Sequence, residues 1–328
     1  MISNKFLVLI SIFILFSCSK PVKEEKITLE GAVFGTTYKI VYLNTSINYQ
    51  KSIDSLFLLM NTSLSTYIPS SDISRINSGD TTVVVDDLFL EVFKKSKRIH
   101  KETNGYFDPT VGNLVNAWGF GPKNEKRNLT ATELQELMQF VGLDLVKIVD
   151  RQVFKKEAKI YLDFNSIAKG FGIDVVARFL TSKKITNYLI EIGGEIRAKG
   201  TKNNNIPWLI KIVDPTNEGL LQKYKSINLS NRSMATSGNY RKYRFTENGQ
   251  KFVHTINPIT GQALESNLLS ASVIANLDCA DVDAYATAFM AMGLKKSKKF
   301  LQEHPLIDGV LLFIDDDGRL KEYSTINN

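Results

Sequence analysis

The chain has 328 residues, 43% hydrophobic and 23% charged, enough apolar material for a substantial core. Its 41 Lys and Arg against 34 Asp and Glu give a formal charge of +7. That excess is spread along the chain rather than gathered, which excludes a nucleic-acid patch. At the N-terminus Lys5 precedes an apolar run from Phe6 to Phe16, of signal-peptide length and short for a membrane span. The run ends in "LFSC", similar to a bacterial lipobox with Leu15 at minus three and Cys18 as the residue to be lipidated. The expectation is a lipoprotein signal over 1–17, a lipid anchor and polar tether over 18–28, and a folded unit over 29–328. An uncleaved anchor or an ordinary signal peptide is the alternative. Cys279 then has no partner and reads as a small core residue, so no disulfide is expected.

After the tether, residues 26–43 read as strand, broken by Gly31 and Gly35. Helical spacing follows over 49–67 and 85–105, the second with Asp86 or Asp87 as cap and Gly105 as stop. A third helix over 130–142 opens on the Thr130…Glu133 capping-box spacing. Two strands fit 146–164 and a helix fits 166–183. Strands are expected over 187–200, 207–215, 226–238, 240–245, 251–256 and 268–275. A helix from Cys279 and a hairpin from Asp308 close the chain. Helices and strands are mixed, the later strands adjoin, and no Pro- or Gly-rich linker intervenes. This is a single α+β unit rather than a doubly wound sheet.

The chain has three histidines and no HExxH, CxxC, GxSxG, P-loop or GxGxxG spacing, which removes the common zinc and dinucleotide signatures. Oxygen ligands remain, and these suit magnesium or calcium. In "CADVDAYATAF" (279–289) Asp283 and Thr287 lie four apart, on one helix face, while Asp281 reads as a cap. Taken alone, Asp283 as a cap with Thr287 bonded back to its turn is the stronger reading. "YLDFNSIAKGFG" (161–172) takes Asp163 from a strand through Asn165 and Ser166 to a helix start bearing Lys169. It suits a phosphate and equally suits a plain Asp–Lys ion pair. Gly170 and Gly172 would let other backbone come close. "TNGYFDPTVGNLVNAWGFGP" (103–122) interleaves glycines with Tyr106, Phe107, Trp118 and Phe120, either for stacking on a planar ring or as an aromatic mini-core. "MATSGNYRKY" (234–243) is a small-residue turn into a basic strand. In "VHTINPITG" (253–261) His254 precedes a proline turn and is a candidate base.

Together with "FGTTYKI", "STYIPSSDISRIN" and "IEIGGEIRAKG", these stretches follow the order seen in one family. The chain resembles the ApbE family of FAD:protein FMN transferases over roughly residues 30 to 315. The resemblance implies one catalytic unit of ApbE/T-fold-like architecture and FAD as substrate. It implies magnesium-dependent cleavage of the pyrophosphate, transfer of FMN to a threonine of a target protein, and release of AMP. Some members mainly hydrolyse FAD to FMN and AMP, and a non-catalytic flavin-binding lipoprotein is a third possibility. By resemblance the metal positions are Asp283, Thr287 and Ser166, with Ala286 adjacent. The FAD contacts are Phe34, Tyr67, Tyr106, Phe107, Asp108, Asp163, Lys169 and Ile256. His254 and Asp283 are the catalytic candidates, His254 as base or positioner of the acceptor hydroxyl. Implied partners are acceptors with a short Thr-containing motif, such as subunits of membrane redox pumps or other flavin reductases. The implied location is a bacterial membrane facing the periplasm, inner rather than outer. Phe34 departs from a common Met, and Asn257 and Ile259 depart from an acid and a base in the proline turn.

Overall fold

A computed structural model of the chain describes residues 25–122, 129–202, 205–216, 222–239, 243–245, 251–263 and 266–326. The signal, Cys18, most of the tether and residues 240–242 lie outside the described residues. No helix among the described residues is long and apolar enough to cross a membrane.

Eight strands form one sheet: β1 (Lys26–Val33), β2 (Thr36–Leu43), β5 (Tyr188–Ile192), β6 (Glu195–Lys199), β9 (Arg232–Gly238), β12 (Leu268–Ala275), β13 (Ile307–Ile314) and β14 (Leu320–Ser324), in that spatial order. Every neighbouring pair is antiparallel. The two-residue period of the strands sorts their side chains between two cores. Tyr38, Ile40 and Tyr42 of β2 face a large helical layer, while Val41 and Leu43 face the other side. There the ribbon of β7 (Trp208–Val213) and β8 (Lys223–Leu229) covers them with Trp208, Ile210 and Ile212. Each such buried aliphatic contributes about 1.5–3 kcal/mol.

The helical layer holds α1 (Gln50–Leu64), α2 (Asp72–Asn77), α3 (Asp87–Glu102), α6 (Ala168–Ser182), α7 (Cys279–Met292) and α8 (Leu294–Glu303). Two further helices, α4 (Gly112–Ala117) and α5 (Ala131–Met138), form a small third core with residues 253–263. Asp86 caps α3 by accepting from Phe89 N, and Thr130 and Glu133 form a complete capping box on α5. The expected strand pair over 146–164 is β3 (Val146–Val149) and β4 (Gln152–Lys155), joined two-stranded. The short strands β10 (Tyr243–Phe245) and β11 (Lys251–Val253) pair likewise.

Three expectations are corrected. Gly31 does not break the first strand: it lies inside β1 opposite Tyr38, where a Cβ would meet the ring at 2.8 Å. The break is the turn at Phe34 and Gly35, both at positive φ (50° and 73°). Residues 226–238 hold two strands in different sheets, β8 and β9, and α2 and α4 were too short for periodicity to reveal. Asp281 is no cap: Asp278 occupies the N-cap of α7. The Asp281 carboxylate instead meets Arg98 at 2.7 Å and Lys95 at 3.3 Å.

Candidate functional site

The N-termini of α6 and α7 cross at Gly170. A Cβ there would fall against the Cys279 carbonyl and 2.8 Å from Ala280 N, so only glycine lets the two backbones touch. Gly172 differs from expectation, since it accommodates a side chain, Phe34, rather than backbone. At the crossing the Gly170 N–H donates to Asp283 Oδ2 at 3.0 Å. Asp283 is therefore a cap after all, but for α6 rather than its own helix. It is 2% exposed. Burial, with some help from Glu195, pushes its carboxyl up to about 7 against the pull of Lys169.

Lys169 Nζ lies 2.8 Å from Glu195 Oε1 and 3.9 Å from Asp283 Oδ1. Glu195 Oε2 is buried and accepts no hydrogen bond. Thr287, part-exposed on the same face of α7, has its Oγ1 3.3 Å from Ser237 Oγ of β9, and Ala286 beside it is fully buried. Cys279 is buried, and burial above all holds its thiol well above its usual range, which removes it as a nucleophile.

Beside this junction, Asp163 ends an extended segment laid along the Pro109 loop, its N–H donating to Pro109 O at 2.7 Å. Its carboxylate accepts from Asn165 N at 2.8 Å and so turns the chain through part-exposed Ser166 into α6. Asn77 clamps Leu162, donating to its carbonyl and accepting from its N–H, both at 2.8 Å. Burial raises the Asp163 carboxyl. Burial and then the Asp163 charge raise the phenol of Tyr67, which is 58% exposed and overlooks the segment.

The aromatic loop divides. Phe107 is buried in the main core, and Trp118 packs with Ile256, Leu114 and Ala263. The Trp118 group forms the mini-core, and neither Phe107 nor Trp118 leaves a face for a planar ring. Tyr106 stays half-buried, with Lys296 over its ring at 4.6 Å. Asp108 is occupied: its carboxylate accepts from Thr110 N (2.8 Å) and Leu143 N (3.1 Å), with His100 Nδ1 at 3.4 Å. Phe34 sits at the β1–β2 turn, edge-on to Phe57 at 5.5 Å. His254, part-exposed, follows β11 in the turn that Asn257 closes by accepting from Ile259 N (2.9 Å) and Thr260 N (3.3 Å).

The sequence pattern of the ApbE family matches residues 34–311. The chain belongs to the ApbE family. It is 35% identical to an FAD:protein FMN transferase of Vibrio cholerae serotype O1, over 98% of this chain and 97% of that one. A Haemophilus influenzae FAD:protein FMN transferase is 36% identical over 93% and 90%. Among solved structures, the flavin transferase ApbE of Vibrio cholerae superposes with a TM-score of 0.80 at 34% identity, covering 92% of this chain and 97% of that chain. The apo flavinyl transferase ApbE of Pseudomonas stutzeri gives 0.82 at 28% identity, covering 92% and 95%.

Within this ApbE-family fold, Lys169 and Asp283 come together directly, with Thr287 one turn further along α7. Glu195 and Asp174 at the same junction were not singled out by sequence reasoning. Their signals were an Asp inside the apolar stretch "FGIDVVARF" and the alternation Glu195, Arg197, Lys199 along β6. Such alternation normally marks a solvent face. Here Glu195 and Arg197 reach into the helical layer, to Lys169 and Asp174 of α6, while Lys199 meets Thr181 at the exposed end of that helix. Among the described residues no three His, Cys, Asp or Glu side chains cluster as metal ligands, so a cation at α7 would draw on hydroxyl and carbonyl oxygens beside Asp283.

Proposed function

We propose that this chain transfers the FMN half of FAD to a threonine hydroxyl of a partner protein and releases AMP. One observation carries the reading. A buried carboxylate, Asp283, is fixed against the first turn of α6 beside Lys169, in a chain about a third identical to named FAD:protein FMN transferases over nearly its whole length. In the reaction the acceptor oxygen bonds to the FMN phosphorus. The bridging P–O bond breaks, AMP leaves with that oxygen and its electron pair, and the hydroxyl proton passes to a base. His254 is the candidate to orient that hydroxyl or take its proton.

The residues fit a hard cation. Asp283 and Glu195 are two buried carboxylates sharing one ammonium, and one Glu195 oxygen has no partner. A cation offsets such an excess of buried negative charge. Asp283, the Thr287 hydroxyl and the carbonyls of Ser166 and Ala286 would hold magnesium. When bound it would stabilise charge developing on the leaving phosphate. Lys169 and the first-turn N–H groups of α6 present positive charge to the pyrophosphate. Phe34, Tyr67 and Tyr106 offer faces or edges to flavin. Phe107 and Ile256, with buried side chains, would contact it through backbone, and Asp108 and Asp163 would brace the loop and turn that border it. We further propose that a lipidated Cys18 tethers the enzyme at the periplasmic face of a bacterial membrane, inner rather than outer. There it would meet acceptors such as redox-pump subunits or other flavin reductases.

The test is to incubate the soluble domain with FAD, magnesium and an acceptor fragment. The expected result is an acceptor mass increased by FMN less water, with equimolar AMP. AMP with free FMN and unmodified acceptors would make the protein a pyrophosphatase instead. FAD binding without any AMP would leave only a flavin-binding protein.

A further inference from the structure

Neither α6 nor α7 is capped by its own side chains. Ile167 precedes α6 without a capping bond, and Asp278, at the N-cap of α7, makes none either. The Asp278 carboxylate is drawn away by Lys95 at 2.7 Å and Arg197 at 2.8 Å. The first N–H groups of a buried helix still need acceptors. For α7 they find them on the other helix: Cys279 N donates to Asp174 Oδ1 and Ala280 N to Asp174 Oδ2, both at 2.8 Å. For α6 the reverse holds, since Gly170 N donates to Asp283 Oδ2 at 3.0 Å. The two helices exchange caps. Both carboxylates are buried, Asp174 wholly, and Arg197 bonds to Asp174 from β6. Gly170 and Asp174 stand one turn apart on α6, and Cys279, Asp283 and Thr287 stand at successive turns of one face of α7.

We propose that Asp174 is a positioning residue for the Asp283–Thr287 face, acting through this exchange of caps. Two acceptor oxygens on two successive N–H groups fix both the height and the rotation of the first turn of α7. Asp283 and Thr287 lie one and two turns further on, so an error in that first turn passes to both. The proposal rests on the reading of Asp283 and Thr287 as cation ligands, and the experiment separates the two. Asp174→Asn keeps one acceptor but turns an amide N–H₂ toward the second donor.

Binding of Mn²⁺ to the FAD-free protein would be followed by electron paramagnetic resonance well below the unfolding midpoint. The Mg²⁺ dependence of AMP release would be measured in parallel. Asp174→Asn is expected to weaken Mn²⁺ binding about 10- to 100-fold, the range seen when groups that orient metal ligands are lost. AMP release should need correspondingly more Mg²⁺, with KM for FAD changed far less. A merely structural role would lower the melting temperature and leave Mn²⁺ affinity of the folded protein within about twofold of wild type, and that result overturns the proposal. Asp283→Ala is the reference. If it binds Mn²⁺ like wild type, the ligand assignment itself is wrong and the proposal goes with it. If it loses Mn²⁺ while Asp174→Asn does not, only the role of Asp174 is refuted. Should Asp174→Asn not fold, Asp174→Glu, which keeps both acceptors but displaces them, carries the same comparison.

Discussion

The α6–α7 junction and the turn at 253–261 both carry candidate catalytic groups, yet they are built in opposite ways. At the junction charged groups are buried and held by named partners: Asp174 by two N–H groups and Arg197, Asp283 by Gly170 N, Lys169 by Glu195. The turn is tied through backbone, through Asn257 and through the Trp118 indole, which donates to Gly261 O at 2.8 Å, while Ile259 at its tip is 52% exposed. Buried polar groups in low dielectric are strong only when every partner is in place. Precision is therefore concentrated where two helices must agree on the position of one carboxylate. The turn needs only to hold a loop that a large partner can approach. Changes to the junction's scaffold should cost much, and changes to the turn's scaffold, His254 itself aside, little.

The largest effect is expected from Gly170→Ala. The added methyl would meet backbone, 2.6 Å from the Cys279 carbonyl carbon and 2.8 Å from Ala280 N, with no flexible side chain to give way. The helices must part. Overpacking of this kind costs about 1–3 kcal/mol. Moving Asp283 from Gly170 and Lys169 by a fraction of an ångström to an ångström should reduce AMP release on the order of 100-fold. Denaturant unfolding and steady-state kinetics would check both. A variant of wild-type activity would mean that the crossing has slack, and the contrast with the turn would fail.

This difference between the regions also explains what could be read from the sequence. The α+β class, the capping box at Thr130, the helix carrying Asp283 and the closing hairpin follow from local patterns, and the structure agrees with each. The junction partners do not follow. Asp174 acts on Cys279, 105 residues away, and nothing near either residue marks the pairing. Glu195 and Arg197 alternate with Ile196 and Ala198, and the same pattern would fit a strand wet on one face. Which face is wet depends on α6 lying over β6. Asp281 departs from expectation for a related reason: its charge suits a helix start, but Lys95 and Arg98 of α3 claim it.

A second effect, on stability alone, concerns pH. Burial, reinforced by the Asp278 charge, raises the Asp174 carboxyl from 3.8 to about 6 despite Arg197. The folded protein therefore holds that proton more tightly than the unfolded chain. The contribution of this group is fully present below about pH 4 and lost as pH rises through about 6, a change of about 3 kcal/mol. Asp278 runs the other way. Burial acts to raise its carboxyl, but Lys95 and Arg197 take it down to about 2, so its contribution is present above about pH 4 and fades only toward pH 2. Between pH 4 and 7 the raised carboxyls of Asp283 and Asp163 add slopes of the same sign, so the Asp174 part is isolated by comparison with a variant that lacks only that carboxyl. Urea unfolding of wild type and Asp174→Asn across that window should show a difference in stability that shifts in favour of the variant as pH rises. A pH-independent difference would mean that Arg197 keeps Asp174 ionised throughout.

The smallest effect is expected at the turn, from Asn257→Asp, which puts an acid in place of the amide. An aspartate can accept from Ile259 N and Thr260 N as Asn257 does, so the turn itself should survive. What is lost is the donation from Asn257 Nδ2 to Ala291 O at 3.3 Å. Ala291 lies in the last turn of α7, where carbonyls point outward and the helix end is negative. An amide N–H₂ complements that end and a carboxylate opposes it, so the acid should be the poorer partner here by about 0.5–1 kcal/mol. Activity should stay within about twofold, because the exposed tip of the turn at 259–260 can relax without moving Asp283. A large loss of activity on Asn257→Asp, with stability unchanged, would show that the turn is held as tightly as the junction. Asn257 and Asp174 would then be equivalent clamps at the two ends of one helix, rather than one clamp and one tether.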